Sequence, residues 1–386
     1  MRIGIDARFY GLIGKGIGRY LEKLIANLEK IDQENEYIIF LRQENFDLYE
    51  PKNPNFKKVL INIPWYGLKE QICLPFKIHR HHCDIVHFPN YNLSLISLIF
   101  KIGVGKKFFI TIHDLIPHQT NITGTTKNSL IFKIKLFFLL LIIKLSAKKS
   151  EKVFTVSEFS KKEIIKLYKI KPEKIIVTYE AAEDKPSNMD QKSQILEKLK
   201  IEKPYLLYVG NAYPHKNLER LIEAYKIILP QTDLKLVLVG RIDYFYSGIK
   251  KMVYDLKIED KVIFTDMIDD NDLNELYQNA LVYVFPSLME GFGLPGLEAM
   301  RRGLPVISSN IGSLTEIYGS AAQYFNPYDT KEIAEIILKI TKDQNLIEDL
   351  KKRGFEQVKK YSWVKCAEET LKIYNSWQNT PSEARG

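Results

Sequence analysis

Cysteine is scarce in this chain: Cys73, Cys83 and Cys366 are widely spaced among 386 residues. That argues against a disulfide framework or a paired-cysteine metal site, and it fits a reducing, cytoplasmic compartment. Long apolar runs are missing too. The most apolar window, Leu130 to Leu145, is interrupted by Lys133, Lys135 and Lys144, which leaves it too short and too charged to span a bilayer. No repeat of solenoid period and no low-complexity tract occurs. The first residues run from Met1-Arg2 straight into Ile3-Gly4-Ile5-Asp6, a strand pattern with acids soon after, so no signal peptide is expected.

What is present is a folded composition, 45% apolar and 27% charged with 22 Tyr and 20 Phe. A chain of 386 residues exceeds what one core ordinarily serves, so two domains are expected. The net charge of +9 is uneven: residues 1–185 carry 30 Lys+Arg against 19 Asp+Glu, and the rest carries 26 against 28. A basic first half fits an anionic partner such as a membrane surface, a phosphorylated acceptor or nucleic acid, or else lysines on solvated helix faces. No recognised nucleic-acid motif accompanies the charge.

From Ile3 onward short apolar runs alternate with segments of helical period, the pattern of β-α repeats and parallel sheets. Strands are expected near 2–6, 37–41, 59–63, 84–87, 108–112, 152–156 and 175–178, with helices near 18–30, 129–148 and 158–168. Residues 186–203 lose apolar period and read as a linker. The alternation restarts at Tyr205, with further strands near 234–239, 262–265, 281–285 and 305–308, two helices within 331–361 and a last one to Trp377. The resulting division is a first domain over 1–185, a second over 204–362 and a C-terminal helix over 363–380 that crosses back to the first. Both domains are read as doubly wound α/β.

The strongest chemical signal is Glu290-Gly291-Phe292-Gly293-Leu294-Pro295-Gly296-Leu297-Glu298. It follows the strand Leu281 to Phe285, and ligands of open α/β sheets bind at the carboxyl ends of strands. Gly291 and Gly293 allow close backbone approach, Pro295 suits a first helical turn, and the amides from Phe292 to Leu294 can meet an anion. Glu290 and Glu298 can each accept two sugar hydroxyls, one near a glycosyl ring and one near a ribose; the alternative makes Glu298 a solvated helix residue.

These residues resemble family 4 retaining glycosyltransferases of the GT-B fold, whose hallmark is a Glu, seven residues, Glu motif in a glycine-rich setting. The likeness is closest to bacterial mannosyltransferase-type members of surface polysaccharide and lipopolysaccharide synthesis. Ile5-Asp6-Ala7-Arg8 and Gly14-Lys15-Gly16-Ile17-Gly18 match the family's opening strand and glycine loop. By resemblance Gly16 touches the donor diphosphate across a cleft between two Rossmann-like domains. Read alone, the glycines form either a phosphate loop before a helix or a plain tight turn.

His113, in Thr111-Ile112-His113-Asp114, matches a family histidine beside the reacting sugar, although a histidine at a strand end is more often structural. Lys216, in Asn211-Ala212-Tyr213-Pro214-His215-Lys216, matches a lysine on the donor phosphates. Many members have Arg where Asn211 stands, and Arg241 is a candidate substitute. Ser157 reads as a helix N-cap. The run His79 to Cys83 and the acids Asp269, Asp270 and Asp272 superficially suggest metal ligands; adjacent helix residues do not converge on one ion, and the acids suit an N-cap. The stretch 127–149 fits a membrane interface and a buried helix equally well.

The resemblance implies retaining, metal-independent transfer of a sugar from a nucleotide diphosphate donor, with no cofactor. Mannose from GDP-mannose is the first donor and a UDP-sugar the second, and the acceptor is a saccharide or a lipid-diphosphate-linked oligosaccharide. His113, Glu290 and Lys216 would be catalytic. Rival readings are a GT-B sugar-nucleotide epimerase and a non-catalytic nucleotide-sugar-binding protein.

Overall fold

The computed structural model describes residues 1–11, 15–91, 93–102, 104, 107–118, 130–183 and 194–377. The chain divides into two compact units. The first comprises Met1–His118, the segment ending at Glu180 and the segment beginning at Ser362; the second runs from Ala181 to Tyr361.

The first unit is built on a parallel sheet of β1 (Arg2–Asp6), β2 (Glu36–Leu41), β3 (Phe56–Leu60), β4 (Ile85–Phe88), β5 (Lys107–Ile112), β6 (Lys152–Thr155) and β7 (Ile175–Val177), in the order β3-β2-β1-β4-β5-β6-β7. The second repeats the plan with β8 (Tyr205–Val209), β9 (Lys235–Val239), β10 (Val262–Phe264), β11 (Val282–Phe285), β12 (Val306–Ser309) and β13 (Ala322–Phe325), ordered β10-β9-β8-β11-β12-β13. Helices cover both faces of such sheets, so strands such as Lys235-Leu-Val-Leu-Val239 read as continuous apolar runs rather than alternating ones. In both units the strand order reverses beside the first strand, and the loops that leave the strands there are where a ligand is held.

Some elements differ from the sequence-based expectation. β3 occupies Phe56–Leu60, not 59–63, because pairing with β2 starts at Tyr37↔Phe56; Ile61 and Ile63 are buried beyond the strand end. Lys57 and Lys58 are tolerated in β3 because it is an edge strand. The helix Leu68–His79 forms despite Pro75 in its interior, and β13 is a four-residue strand without alternation. Of the expected glycine loop, Gly14 lies outside the described residues, and Gly16 and Gly18 stand within the helix itself, which begins at Lys15. Gly18 is needed there because a Cβ would collide with the Gly11 carbonyl oxygen, whereas a Cβ at Gly16 would meet open space.

The C-terminal helix Trp363–Ser376 packs on the helix Lys15–Ile31 within the first unit. Tyr374 brings its hydroxyl 2.5 Å from His87 Nδ1, and Thr111 Oγ1 lies 2.8 Å from the other ring nitrogen. Burial lowers the His87 imidazole to about 3, with neighbouring His113 acting in the same direction. In an unfolded chain a histidine takes up its proton near pH 6.5. The unfolded state therefore binds more protons than the folded state between those values. Stability is complete above about pH 6.5 and declines toward pH 3 by about 1.4 kcal/mol per pH unit for this group. Chemical denaturation of the wild type between pH 7 and 4.5 should show this slope, and His87→Gln should flatten it by that amount; an unchanged slope would refute the assignment.

Candidate active site

In the second unit the two loops following β8 and β11 meet. Lys216 Nζ donates to Glu290 Oε1 at 2.6 Å, and the ammonium lies over the Phe285 ring. An ammonium carries three donors, so the bond to Glu290 does not exhaust it. Both side chains are mostly buried. Asn217, the next residue, adopts the left-handed conformation, φ 60° and ψ 34°. Its buried amide donates to the carbonyls of Pro286 at 3.0 Å and Pro327 at 2.8 Å. One side chain thus ties the β8 loop to the loops after β11 and β13, and Leu288 N adds a bond to His215 O at 2.7 Å. His215 is buried, which lowers its imidazole to about 4; Lys216 pushes the same way. The group beside Lys216 is thereby kept neutral and adds no second positive charge next to that ammonium.

Glu290 is fixed from its backbone side as well, since Ser313 Oγ donates to its carbonyl at 2.7 Å. Gly293 then takes φ 95° and ψ 42° and starts the helix Leu294–Arg301, with Pro295 in its first turn and no side chain capping it. Uncapped amides at a helix start, with the positive end of its dipole, favour an anion. The fully buried Tyr318 donates to Gly293 O at 2.6 Å and fills the space where a Cβ of Gly293 or Gly296 would stand. Phe292 turns its ring inward against Tyr361, Gly291 is buried with it, and Leu294 is half-buried. Glu298 is buried rather than solvated, with the Tyr277 hydroxyl 3.5 Å from Oε2.

Asn211 and Arg241 make local contacts instead. Asn211 Oδ1 accepts from Tyr213 N at 3.2 Å. Arg241 is exposed after β9, where it adds to the backbone N–H bonds that lower the Asp266 carboxyl. Asp269 caps its helix by accepting from Asp272 N at 2.8 Å, and Ser157 caps another by accepting from Ser160 N at 3.1 Å.

In the first unit His113 follows β5 with both ring nitrogens facing acceptors: Glu180 Oε1 at 3.2 Å from Nδ1 and Pro89 O at 3.1 Å from Nε2. The Tyr20 ring closes the third side at 4.8 Å, edge-on. Glu180 itself is buried. Nearby, the fully buried Arg8 forks onto both Asp6 oxygens at 2.8 Å, reaches Glu70 Oε1 at 2.8 Å and donates to Ile63 O. Burial opposes its charge, yet Asp6 and Glu70 hold the guanidinium firmly protonated. Glu70 Oε2 in turn accepts from Tyr66 N at 2.7 Å, so this cluster fixes the loop after β3. Asn217, Ser313, Tyr318 and Glu180 carried no signal in the sequence, because each partner is 23 to 110 residues away.

Residues 14–183 match the model of Glycosyltransferase Family 4, and residues 191–357 match that of Glycosyl transferases group 1. The chain belongs to the family 4 glycosyltransferases. Over 250 residues this glycosyltransferase is 38% identical to the O-antigen chain mannosyltransferase RfbU of Salmonella typhimurium, a match spanning 63% of this chain and 66% of the relative. Over 227 residues it is 34% identical to the O-antigen chain mannosyltransferase B of Escherichia coli, spanning 58% and 60%. Each match covers less than two thirds of the relative's own length.

Solved structures extend the likeness to the whole glycosyltransferase chain. A sucrose-phosphate synthase from Thermosynechococcus elongatus superposes with a TM-score of 0.77 at 20% identity, covering 98% of this chain and 99% of that one. An Anabaena protein crystallised with UDP-glucose gives 0.74 at 16% identity, covering 97% and 99%. At these identities the likeness is one of fold, and the fold is GT-B.

Gly293→Ala in this glycosyltransferase forces φ 95° on a residue with a Cβ, which would stand 2.5 Å from Leu314 Cδ2 and from the Tyr318 hydroxyl. A loss of about 2–4 kcal/mol is expected in thermal or chemical denaturation; a change within error would show that the loop relaxes freely. Glu180→Ala removes an acceptor from the mostly buried His113 ring and should cost about 1–3 kcal/mol in denaturation, the worth of leaving one buried polar group unpaired, with Glu180→Gln recovering most of the loss; an unchanged stability would refute the bond.

Proposed function

We propose that this glycosyltransferase transfers a sugar from a nucleotide diphosphate donor to a saccharide or lipid-diphosphate-linked acceptor, with retention at the anomeric carbon and without a metal. The observation that carries this reading is the Lys216–Glu290 pair at 2.6 Å, beside the uncapped helix start at Leu294. A lysine and a row of amides suit a leaving diphosphate, whose charge grows as the glycosidic bond breaks. A carboxylate bonded to that lysine suits the hydroxyls of the sugar on the same phosphate. Glu298 would take the ribose.

In this mechanism the leaving diphosphate oxygen receives the acceptor's proton on the face where the new bond forms, so no covalent enzyme intermediate is needed. His113, held by Glu180 and the Pro89 carbonyl, would hold a donor hydroxyl and support the positive charge that develops on the sugar. Lys216 and the Phe292–Gly293 amides would stabilise the departing group.

The two O-antigen chain mannosyltransferases above support mannose as the sugar, in surface polysaccharide synthesis; GDP-mannose is the donor proposed for it. The UDP-glucose-bound Anabaena structure keeps a UDP-sugar as the second reading. A polyprenyl- or lipid-linked acceptor resides at a membrane, and the basic first half of the chain supports peripheral contact with an anionic one.

A thermal-shift panel of GDP, UDP and ADP with their sugars tests the donor: stabilisation by GDP and GDP-mannose is expected, and a response confined to UDP compounds would move the donor to the uridine class. Glu290→Gln should reduce turnover on the order of a hundredfold while nucleotide affinity stays within about threefold, the pattern of a group acting on the sugar in the transition state. Equal loss of both would contradict that role, and an inverted anomer in the product would overturn retention.

A further inference from the structure

We infer that the outer surface of three neighbouring helices in the first unit is a docking face for an anionic lipid bilayer. This rests on the membrane contact proposed above and names the surface that makes it. The helices are Leu68–His79, Leu95–Phe100 and Leu130–Lys149. They share one core beneath them, entered by Leu74 and Ile78, by Leu98, and by Ile143 and Ala147. They also lie side by side: Ser94 Oγ and Leu95 N bond to the Gln71 carbonyl and side chain at 2.5 and 2.9 Å, and Lys149 Nζ bonds to Leu98 O at 2.8 Å.

Their outward faces are apolar where a solvated helix is polar. Of 19 large apolar side chains exposed among the described residues, eight stand on these helices, so the exposure is concentrated rather than scattered. Leu68, Ile72 and Phe76 follow one another at four-residue spacing and form a single stripe opposite Leu74 and Ile78. Ile99 and Phe100 are exposed on the second helix, and Ile134, Phe137 and Phe138 on the third. The third helix has apolar residues on every side with lysines scattered among them, so it has no purely polar face to turn to water. This chain covers its second half, through Ile143 and Ala147, and leaves residues 133–138 almost entirely exposed.

Charge decides what covers that face. Exposed cations stand among the apolar groups: Lys69 and Lys77 on the first helix, Lys101 after the second, Lys133 and Lys135 on the third. The three helices contain a single acid, Glu70, which is buried against Arg8. Apolar side chains at the level of the acyl chains, with long basic side chains reaching the headgroups and no exposed acid to repel them, match an anionic membrane surface. Among the described residues no helix is long and apolar enough to cross a membrane, so the contact is one that lies in the interface plane.

The test is cosedimentation of the full chain with vesicles of phosphatidylcholine alone and of phosphatidylcholine with an equal part of phosphatidylglycerol. The wild type should partition onto the mixed vesicles, weakly onto the neutral ones, and be released by high salt. Lys133→Glu with Lys135→Glu should weaken partition on the order of twentyfold or more, since each lysine near an anionic surface contributes about fivefold. Phe137→Ser with Phe138→Ser should weaken it about tenfold or more. All four side chains are exposed, so thermal midpoints and nucleotide-induced shifts should stay unchanged, which separates this surface from the donor site. Wild-type binding that neither variant alters would overturn this face and leave membrane contact standing. No wild-type binding at low salt would overturn both. A stable dimer by light scattering that the Phe variant dissolves would assign the face to a second copy of the chain instead.

Discussion

One buried amide organises the second unit. Asn217 donates to carbonyls 69 and 110 residues further along the chain, and in doing so draws together the loops that leave β8, β11 and β13. Parallel strands fix only where loops begin; they do not specify where loops end. A hydrogen bond between distant backbones supplies the missing constraint, and its burial makes it costly to leave unmade. Lys216 is the residue before this anchor and Glu290 lies four residues beyond Pro286, so the 2.6 Å bond between them follows from the anchor rather than from either side chain's own preference. Tyr318 performs the complementary task from the other side by supporting the Gly293 carbonyl.

The first unit achieves order by a different route, through buried polar groups that satisfy one another. Arg8 is matched by two carboxylates, His113 by a carboxylate and a carbonyl, and His87 by two hydroxyls. Such networks are stabilising only when complete. They occur at the ends of β1, β4 and β5, the central strands beside which the sheet order reverses. Loops there carry polar side chains in a setting too dry to leave them unpaired, and rigidity at the strand ends is the result.

The fold was legible because parallel strands announce themselves as apolar runs and the helices between them as periodic ones. Twelve of the thirteen strands among the described residues stand near expected positions; Ala322–Phe325 was missed because four residues, one of them glutamine, carry no periodic signal. The helix Leu68–His79 was hidden by Pro75. Glu290 was picked out by its place after an apolar strand in a glycine-rich turn, and Lys216 and His113 by that placement together with the resemblance to the family's motifs. Glu180 and Asn217 were not, since a glutamate in Tyr179-Glu180-Ala181 and an asparagine before a helix look ordinary until the fold supplies their partners. The glycines near residue 16 misled for a physical reason. Gly disfavours helix interiors, yet here Gly18 sits in one because a neighbouring turn passes too close for any side chain.

The last helix has a consequence for how the molecule comes into being. Trp363–Ser376 supplies Tyr374 to the His87 network, places Asn375 Oδ1 3.0 Å from Asn35 Nδ2 and sets Trp363 against Tyr20. The first unit is therefore discontinuous, its two pieces separated by the whole of Ala181–Tyr361. A ribosome working from the N-terminus delivers the seven-stranded sheet early, the complete second unit next and the closing helix last. The first unit is thus begun before the second and closed after it, and until this helix is made Phe109 and Tyr20 stay uncovered by their native partners.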